Sequence, residues 1–111
     1  MTRIAITAIL ISLVTTAALA QTPEQSQRGQ QVYTAQKCSV CHSIGGAGNK
    51  KGSLDGVGAK LSAEEIRQWI VNAPEMSAKA KADRKPAMKA YPNIAKDDLD
   101  GLVSYLASLK K

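Results

Sequence analysis

The sequence has no phenylalanine, one tryptophan, three tyrosines, one histidine and two cysteines in 111 residues. Beyond residue 20 it has no apolar run long enough to span a bilayer, which excludes a polytopic membrane protein. A single histidine excludes any site built from two imidazoles of one chain. Two cysteines separated by two residues close only a tiny loop, so a disulfide there would constrain little of the unfolded chain. Acids are also scarce: nine, against fifteen lysines and arginines, for a net charge of +6. The basic residues are not interleaved with aromatics and no nucleic-acid motif occurs, so nucleic acid is not the expected partner. An acidic partner or an anionic surface is, although scattered lysines also serve solubility.

The one strongly apolar stretch is N-terminal. Arg3 provides a positive start, Ile4–Val14 an apolar stretch, and Ala18-Leu19-Ala20 a small-x-small cleavage site before Gln21. Residues 1–20 thus read as an export signal and residues 21–111 as one mature domain. After cleavage, no stable membrane insertion is expected. Export places the domain outside the cytosol. Of its 35 hydrophobic residues, 12 are alanine and 2 are cysteine. A core that thin is marginal at this size, so a disulfide, metal, partner or cofactor should complete it.

The pattern in the mature part is helical, with no convincing strand alternation. A first helix starts at Thr22-Pro23-Glu24-Gln25, with capping-box spacing and proline in the first turn, and runs toward Lys37. A second starts at Ser62-Ala63-Glu64-Glu65 and stops at Pro74, with Ile66, Trp69, Ile70 and Ala73 on one face. A third spans about Lys96–Leu109, with Leu99, Leu102, Val103, Leu106 and Leu109 as its stripe. A glycine-rich loop, Gly45–Gly58, joins the first two. Residues 74–92 join the last two and have room for a short helix.

Cys38-Ser39-Val40-Cys41-His42 holds every cysteine and the histidine of the chain. A zinc site needs a fourth ligand, and no second Cys or His pair exists to supply it. A redox dithiol normally follows a strand in a βαβ unit, which is not readable here. The spacing C-x-x-C-H fits covalent haem attachment. On a helical turn, positions i, i+3 and i+4 share a face, so two sulfurs can reach neighbouring vinyl groups while His42 lies beneath the iron. A haem would also supply the missing core. For the opposite axial position the candidates are the thioethers of Met76 and Met88. Spacing mildly favours Met88, in a loop before the last helix with Tyr91 three residues on.

These residues together resemble the small monohaem class I c-type cytochromes, bacterial periplasmic electron carriers, over essentially all of residues 21–111. Gly29 and Tyr33 are similar to the small residue and aromatic where the family's terminal helices meet, with Tyr105 opposite. Leu54-Asp55-Gly56-Val57-Gly58 resembles the segment after the haem-binding loop, and Met88-Lys89-Ala90-Tyr91 the distal methionine loop. The resemblance implies an all-α orthogonal bundle of three main helices plus a short one around one covalent haem c. It implies Cys38 and Cys41 as thioether anchors, His42 and Met88 as iron ligands, and Trp69 and Tyr91 as packing against the ring. It implies a monomeric one-electron carrier rather than an enzyme, docking redox proteins through an acidic surface on their side. Lys37, Lys50, Lys51, Lys60, Lys85 and Lys89 would flank the haem edge, with Asp97, Asp98 and Asp100 behind. The alternatives are a haem subunit or module of a larger redox enzyme, or a sensor with a labile sixth ligand. Two departures stand out. The family's Gly-Pro before the loop leucine is Gly52-Ser53 here, so the carbonyl that receives the His42 proton is expected near Gly52 or Ser53. Ala95 replaces the usual Ser or Thr cap of the last helix.

Overall fold

A computed structural model describes residues 22–111. The export segment at 1–20 lies outside the described residues. Five helices carry the chain: α1 (Pro23–Ala35), α2 (Val57–Lys60), α3 (Ala63–Val71), α4 (Ala73–Ala80) and α5 (Lys96–Ala107). Two-residue strands β1 (Ser43–Ile44) and β2 (Ala47–Gly48) form a small antiparallel hairpin between α1 and α2, pairing Ser43 with Gly48 and Ile44 with Ala47. The architecture is all-α, as expected. The hairpin and α2 overlap the two ends of the Gly45–Gly58 stretch expected to be loop. They are too short to have a periodicity of their own.

Both expected capping boxes form. Gln25 N–H donates to Thr22 Oγ1 at 3.2 Å and Thr22 N–H to the Gln25 side chain at 3.5 Å. Ser62 and Glu65 exchange the same pair at 3.1 Å each way. These bonds satisfy N–H groups that the first turn leaves without a helical partner. The second helix ends at Val71, earlier than Pro74. Asn72 breaks the helix, and Pro74 sits in the first turn of α4, where a missing N–H costs nothing. Ala73 is fully buried, but as the first residue of α4. The last helix stops at Ala107, and Ala95 caps it with no side-chain bond.

The principal packing is α1 across α5, made possible by two glycines. A Cβ on Gly29 would collide with the Gly101 carbonyl and Tyr105 Cβ, and one on Gly101 would press on Arg28 Cγ at 3.1 Å. One turn along, the Tyr33 and Tyr105 rings meet edge to face, centroids 6.4 Å apart at 74°. Val32, Ile66, Ile70, Leu102, Val103 and Leu106 form the buried core, joining α1, α3 and α5. Charged pairs close the rim: Arg28 to Asp97 (4.0 Å) and Asp98 (3.7 Å), and Arg67 of α3 to Asp100 of α5 (2.8 Å), which Lys96 also reaches at 2.7 Å.

Candidate haem-attachment site

Lys37, in the left-handed conformation at φ 57°, turns the chain out of α1 and directly into the motif. Cys38–Val40 then forms a single 3-10 turn. Cys41 N–H and His42 N–H both donate to the Cys38 carbonyl, at 3.1 and 2.9 Å. This places Cys38, Cys41 and His42 on one turn. All three are half-buried, while Val40 between them is 67% exposed.

His42 is held by a single defining contact. Its Nδ1 lies 2.9 Å from the Gly52 carbonyl. A carbonyl only accepts, so Nδ1 carries the proton and Nε2 keeps its lone pair for a metal. The missing proline therefore costs nothing at this bond: Gly52, one of the two expected positions, supplies the carbonyl. Burial lowers the His42 pKa, the Gly52 bond opposes that, and the nearby Arg84 charge lowers it further. Burial holds the imidazole neutral, the form that ligates metal.

The loop that presents Gly52 is pinned to the motif by a residue the sequence analysis passed over. Asn49 N–H lies 3.1 Å from the Ser39 carbonyl and 2.9 Å from that of His42. Its Nδ2 donates to Val40 C=O at 3.1 Å and its Oδ1 accepts from Lys51 N–H at 3.0 Å. Gly48, at φ 108°, passes so close to the His42 carbonyl that a Cβ would strike it. Ser43 is buried and paired with both β2 and Ser53. An asparagine in a glycine-rich loop is a local cue for turn bonding, as with Lys51, but its partners in the motif lie seven to ten residues back.

Around the thiols stand two tyrosines. Burial raises the Cys38 pKa, with a further push from Cys41. Reactive dithiols show the opposite shift, so this direction does not favour the redox-dithiol alternative. The two thiols are free. Tyr91 and Tyr33 are both raised first by burial, and then by proximity to Cys38, joined for Tyr91 by Cys41. Among the described residues no group of three or more His, Cys, Asp and Glu side chains could hold a metal ion, so zinc gains no support. Tyr33 Oη is buried and has no hydrogen-bond partner among the described residues. The residues thus fit a covalent haem: two free thiols on the turn of a neutral histidine with Nε2 available.

Met88 lies half-buried in the irregular segment between α4 and α5. Three residues on, Tyr91 N–H donates to the Ile70 carbonyl at 2.8 Å, tying that segment to α3, the helix of half-buried Trp69. Lys89 Nζ sits 5.1 Å from the Tyr91 ring centroid. Met76, the other candidate, is fixed in α4 by its bond to Asn72. Arg84 is exposed, and its Nη2 donates to the Cys41 carbonyl at 2.6 Å. Asp97, Asp98 and Asp100 are engaged by Arg28, Arg67 and Lys96, whereas Lys37, Lys50, Lys51, Lys60, Lys85 and Lys89 form no ion pair among the described residues.

A helical bundle whose first and last helices cross at glycines, with C-x-x-C-H on the turn after the first, defines a haem-binding electron-transfer domain. The profile of the family described as "Cytochrome c" matches residues 26–110, and the chain belongs to that family. Among curated proteins it is similar to cytochrome c oxidase subunit 2 of Alkalihalophilus pseudofirmus (strain ATCC BAA-2126 / JCM 17055 / OF4), 27% identical over 94 residues. That match covers 77% of this chain but only 26% of the relative, so the chain spans about a quarter of its length. No solved structure matches the chain significantly. Among the described residues no helix is long and apolar enough to cross a membrane.

Proposed function

We propose that the mature chain is a periplasmic one-electron carrier with one haem c, and that it does not itself catalyse. The observation that carries this reading is His42 Nδ1 committed to Gly52 C=O on the same turn as two free thiols. Bound haem supplies the Fe(III)/Fe(II) couple. Cys38 and Cys41 would anchor it through thioethers, and His42 Nε2 and the Met88 thioether would ligate its iron. With both side chains on the iron, the chain would leave no open coordination site for a substrate. A neutral, soft thioether favours the reduced state and raises the potential relative to more basic ligands. Trp69 and Tyr91 cover the ring and exclude water. Residues 1–20 direct export.

The partners on this reading are redox proteins with an acidic docking face. The free lysines support it, since the acids of α5 are already neutralised by internal pairs. Haem stain retained by the wild-type protein after denaturing electrophoresis, and lost from Cys38→Ser/Cys41→Ser, is the expected result. Stain lost from the wild-type protein would remove the covalent haem. Electron transfer to the partner should slow as salt rises, because exposed charges are screened over about 8 Å at physiological ionic strength. Lys51→Glu or Lys89→Glu should slow it more than Lys111→Glu.

The similarity to part of an oxidase subunit favours a second reading, in which this domain serves as the haem module of a larger redox assembly. Isolation of the protein from periplasmic extract as a free monomer supports the carrier; co-purification with a larger enzyme supports the module.

A further inference from the structure

The segment between α4 and α5 has no regular structure, and residues 81–87 are exposed. Its position therefore depends on the few bonds that tie it down. Two of them bracket Met88. On one side Tyr91 N–H holds the Ile70 carbonyl at 2.8 Å. On the other, Arg84 Nη2 holds the Cys41 carbonyl at 2.6 Å. The first tie leads to α3; the second leads to the turn that carries His42. A neighbouring glycine makes room for the second. A Cβ at Gly52 would collide with both Arg84 Nη1 and the Cys41 carbonyl. The guanidinium thus bonds the residue before His42 and packs on the residue whose own carbonyl orients the imidazole. Asp83, next in sequence, forms no ion pair with it among the described residues, which leaves the carbonyl as its polar partner.

We propose that Arg84 is a positioning residue that fastens the methionine loop to the histidine side of the site and so holds Met88 in place. The inference rests on Met88 as the axial ligand. A charge-assisted bond is stronger than a neutral one, and the planar guanidinium can bond a carbonyl while packing on a flat backbone, which a lysine ammonium cannot do. Without this tie, the free span of the loop before Tyr91 runs back to the end of α4, and the entropic cost of closing it rises. Arg84 touches neither ligand atom. It acts on how often the loop opens.

The test uses the full-length holoprotein as wild type, Arg84→Ala, Arg84→Lys and Met88→Ala. Three quantities are read: the rate of carbon monoxide binding to the ferrous form, the pH at which the ferric form loses its weak far-red sulfur-to-iron absorption band, and the thermal midpoint. Arg84→Ala should bind carbon monoxide about three- to tenfold faster and lose the band at lower pH. Arg84→Lys should fall between it and wild type. Met88→Ala should lack the band altogether. If Met88→Ala lacks the band while Arg84→Ala matches wild type in rate and in pH of band loss, the ligand assignment stands and the role of Arg84 is overturned. A lowered thermal midpoint with both ligand readouts unchanged overturns it as well, since a merely structural contact would do that. If Met88→Ala keeps the band, the ligand assignment fails and takes the positioning role with it. Should Arg84→Ala fail to accumulate, Arg84→Gln, which keeps a neutral donor, makes the same comparison.

Discussion

The α1–α3–α5 scaffold and the segments that form the haem site are held together in different ways. The scaffold relies on area and shape: six buried apolar side chains and two helices brought close by Gly29 and Gly101. The site relies on single directed bonds: Gly52 C=O to His42, Asn49 to the motif, Tyr91 N–H to Ile70 and Arg84 to Cys41. Damage to the scaffold should therefore spread through the whole molecule, whereas damage to a site bond should appear in the ligand chemistry first. This division suits the proposed carrier role, in which the ligand set should change little between oxidation states while the rest of the chain keeps it rigid.

The largest expected effect on stability is at the helix crossing. Gly29→Val places methyl groups where the Gly101 carbonyl and Tyr105 Cβ now lie, so α1 and α5 must separate. The cost should be about 3 kcal/mol or more. For a domain of this size that lowers Tm by roughly 12–24 °C. Thermal unfolding followed by circular dichroism measures it, and the visible spectrum of the protein that remains folded should be unaltered. A spectrum that changes as much as Tm would erase the distinction between the two regions.

Next comes the loop that carries the methionine. Met88→Ala should open the sixth position, admit carbon monoxide and lower the potential. Met76→Ala, in α4, should leave both unchanged while lowering Tm through lost packing. Redox titration and carbon monoxide difference spectra of the two variants decide between them, and the reverse pattern would assign the ligand to α4.

The two regions also differ in how much of them could be read from the sequence. Scaffold signals are local. The Thr22–Gln25 and Ser62–Glu65 boxes are three residues apart, and the α5 stripe repeats every three or four, so all three main helices were legible. So were the motif turn and the Gly29–Tyr105 contact that the family resemblance implied. The site bonds join distant positions: ten residues for His42–Gly52 and 43 for Arg84–Cys41. No periodicity connects them, and an arginine among lysines gives no sign that it will bond a carbonyl 43 residues back. The hairpin at Ser43–Gly48 was missed for a related reason, since two residues per strand carry no alternation. Even the early end of α3 at Val71 has a local cause, Asn72, that a proline two residues later obscured.

A smaller effect is expected at Asn49, which belongs to the site but carries no chemistry. Asn49→Ala removes its bonds to the Val40 carbonyl and the Lys51 N–H but leaves the two backbone bonds in place. About 1–2 kcal/mol should be lost. Because that turn carries His42, the potential should shift as well, in contrast to Gly29→Val. Tm and potential measured on both variants sharpen the comparison: Asn49→Ala should move the potential more per degree of Tm lost.

The smallest effect belongs to the rim of the scaffold, and it is set by pH. Asp100 receives hydrogen bonds from Lys96 and Arg67, which hold its carboxyl below the usual carboxylate range, the Lys96 bond contributing most. A lowered pKa in the folded state means the charged form is favoured there. Its contribution is fully present above the unfolded value, ~3.9, and fades as pH falls through the lower folded value. The same bond raises Lys96 above the ordinary lysine range, so on the alkaline side the contribution persists until that group deprotonates. Asp100→Asn should therefore cost about 1 kcal/mol on the plateau between these limits, typical of a partly exposed ion pair. The difference from wild type should shrink toward zero in strong acid. Denaturant unfolding of both proteins at pH 7 and at successively lower pH measures it. A deficit that stays constant down to the lowest pH would show that Asp100 acts by packing and not by charge. A deficit at pH 7 as large as that of Gly29→Val would place this pair among the main supports of the fold.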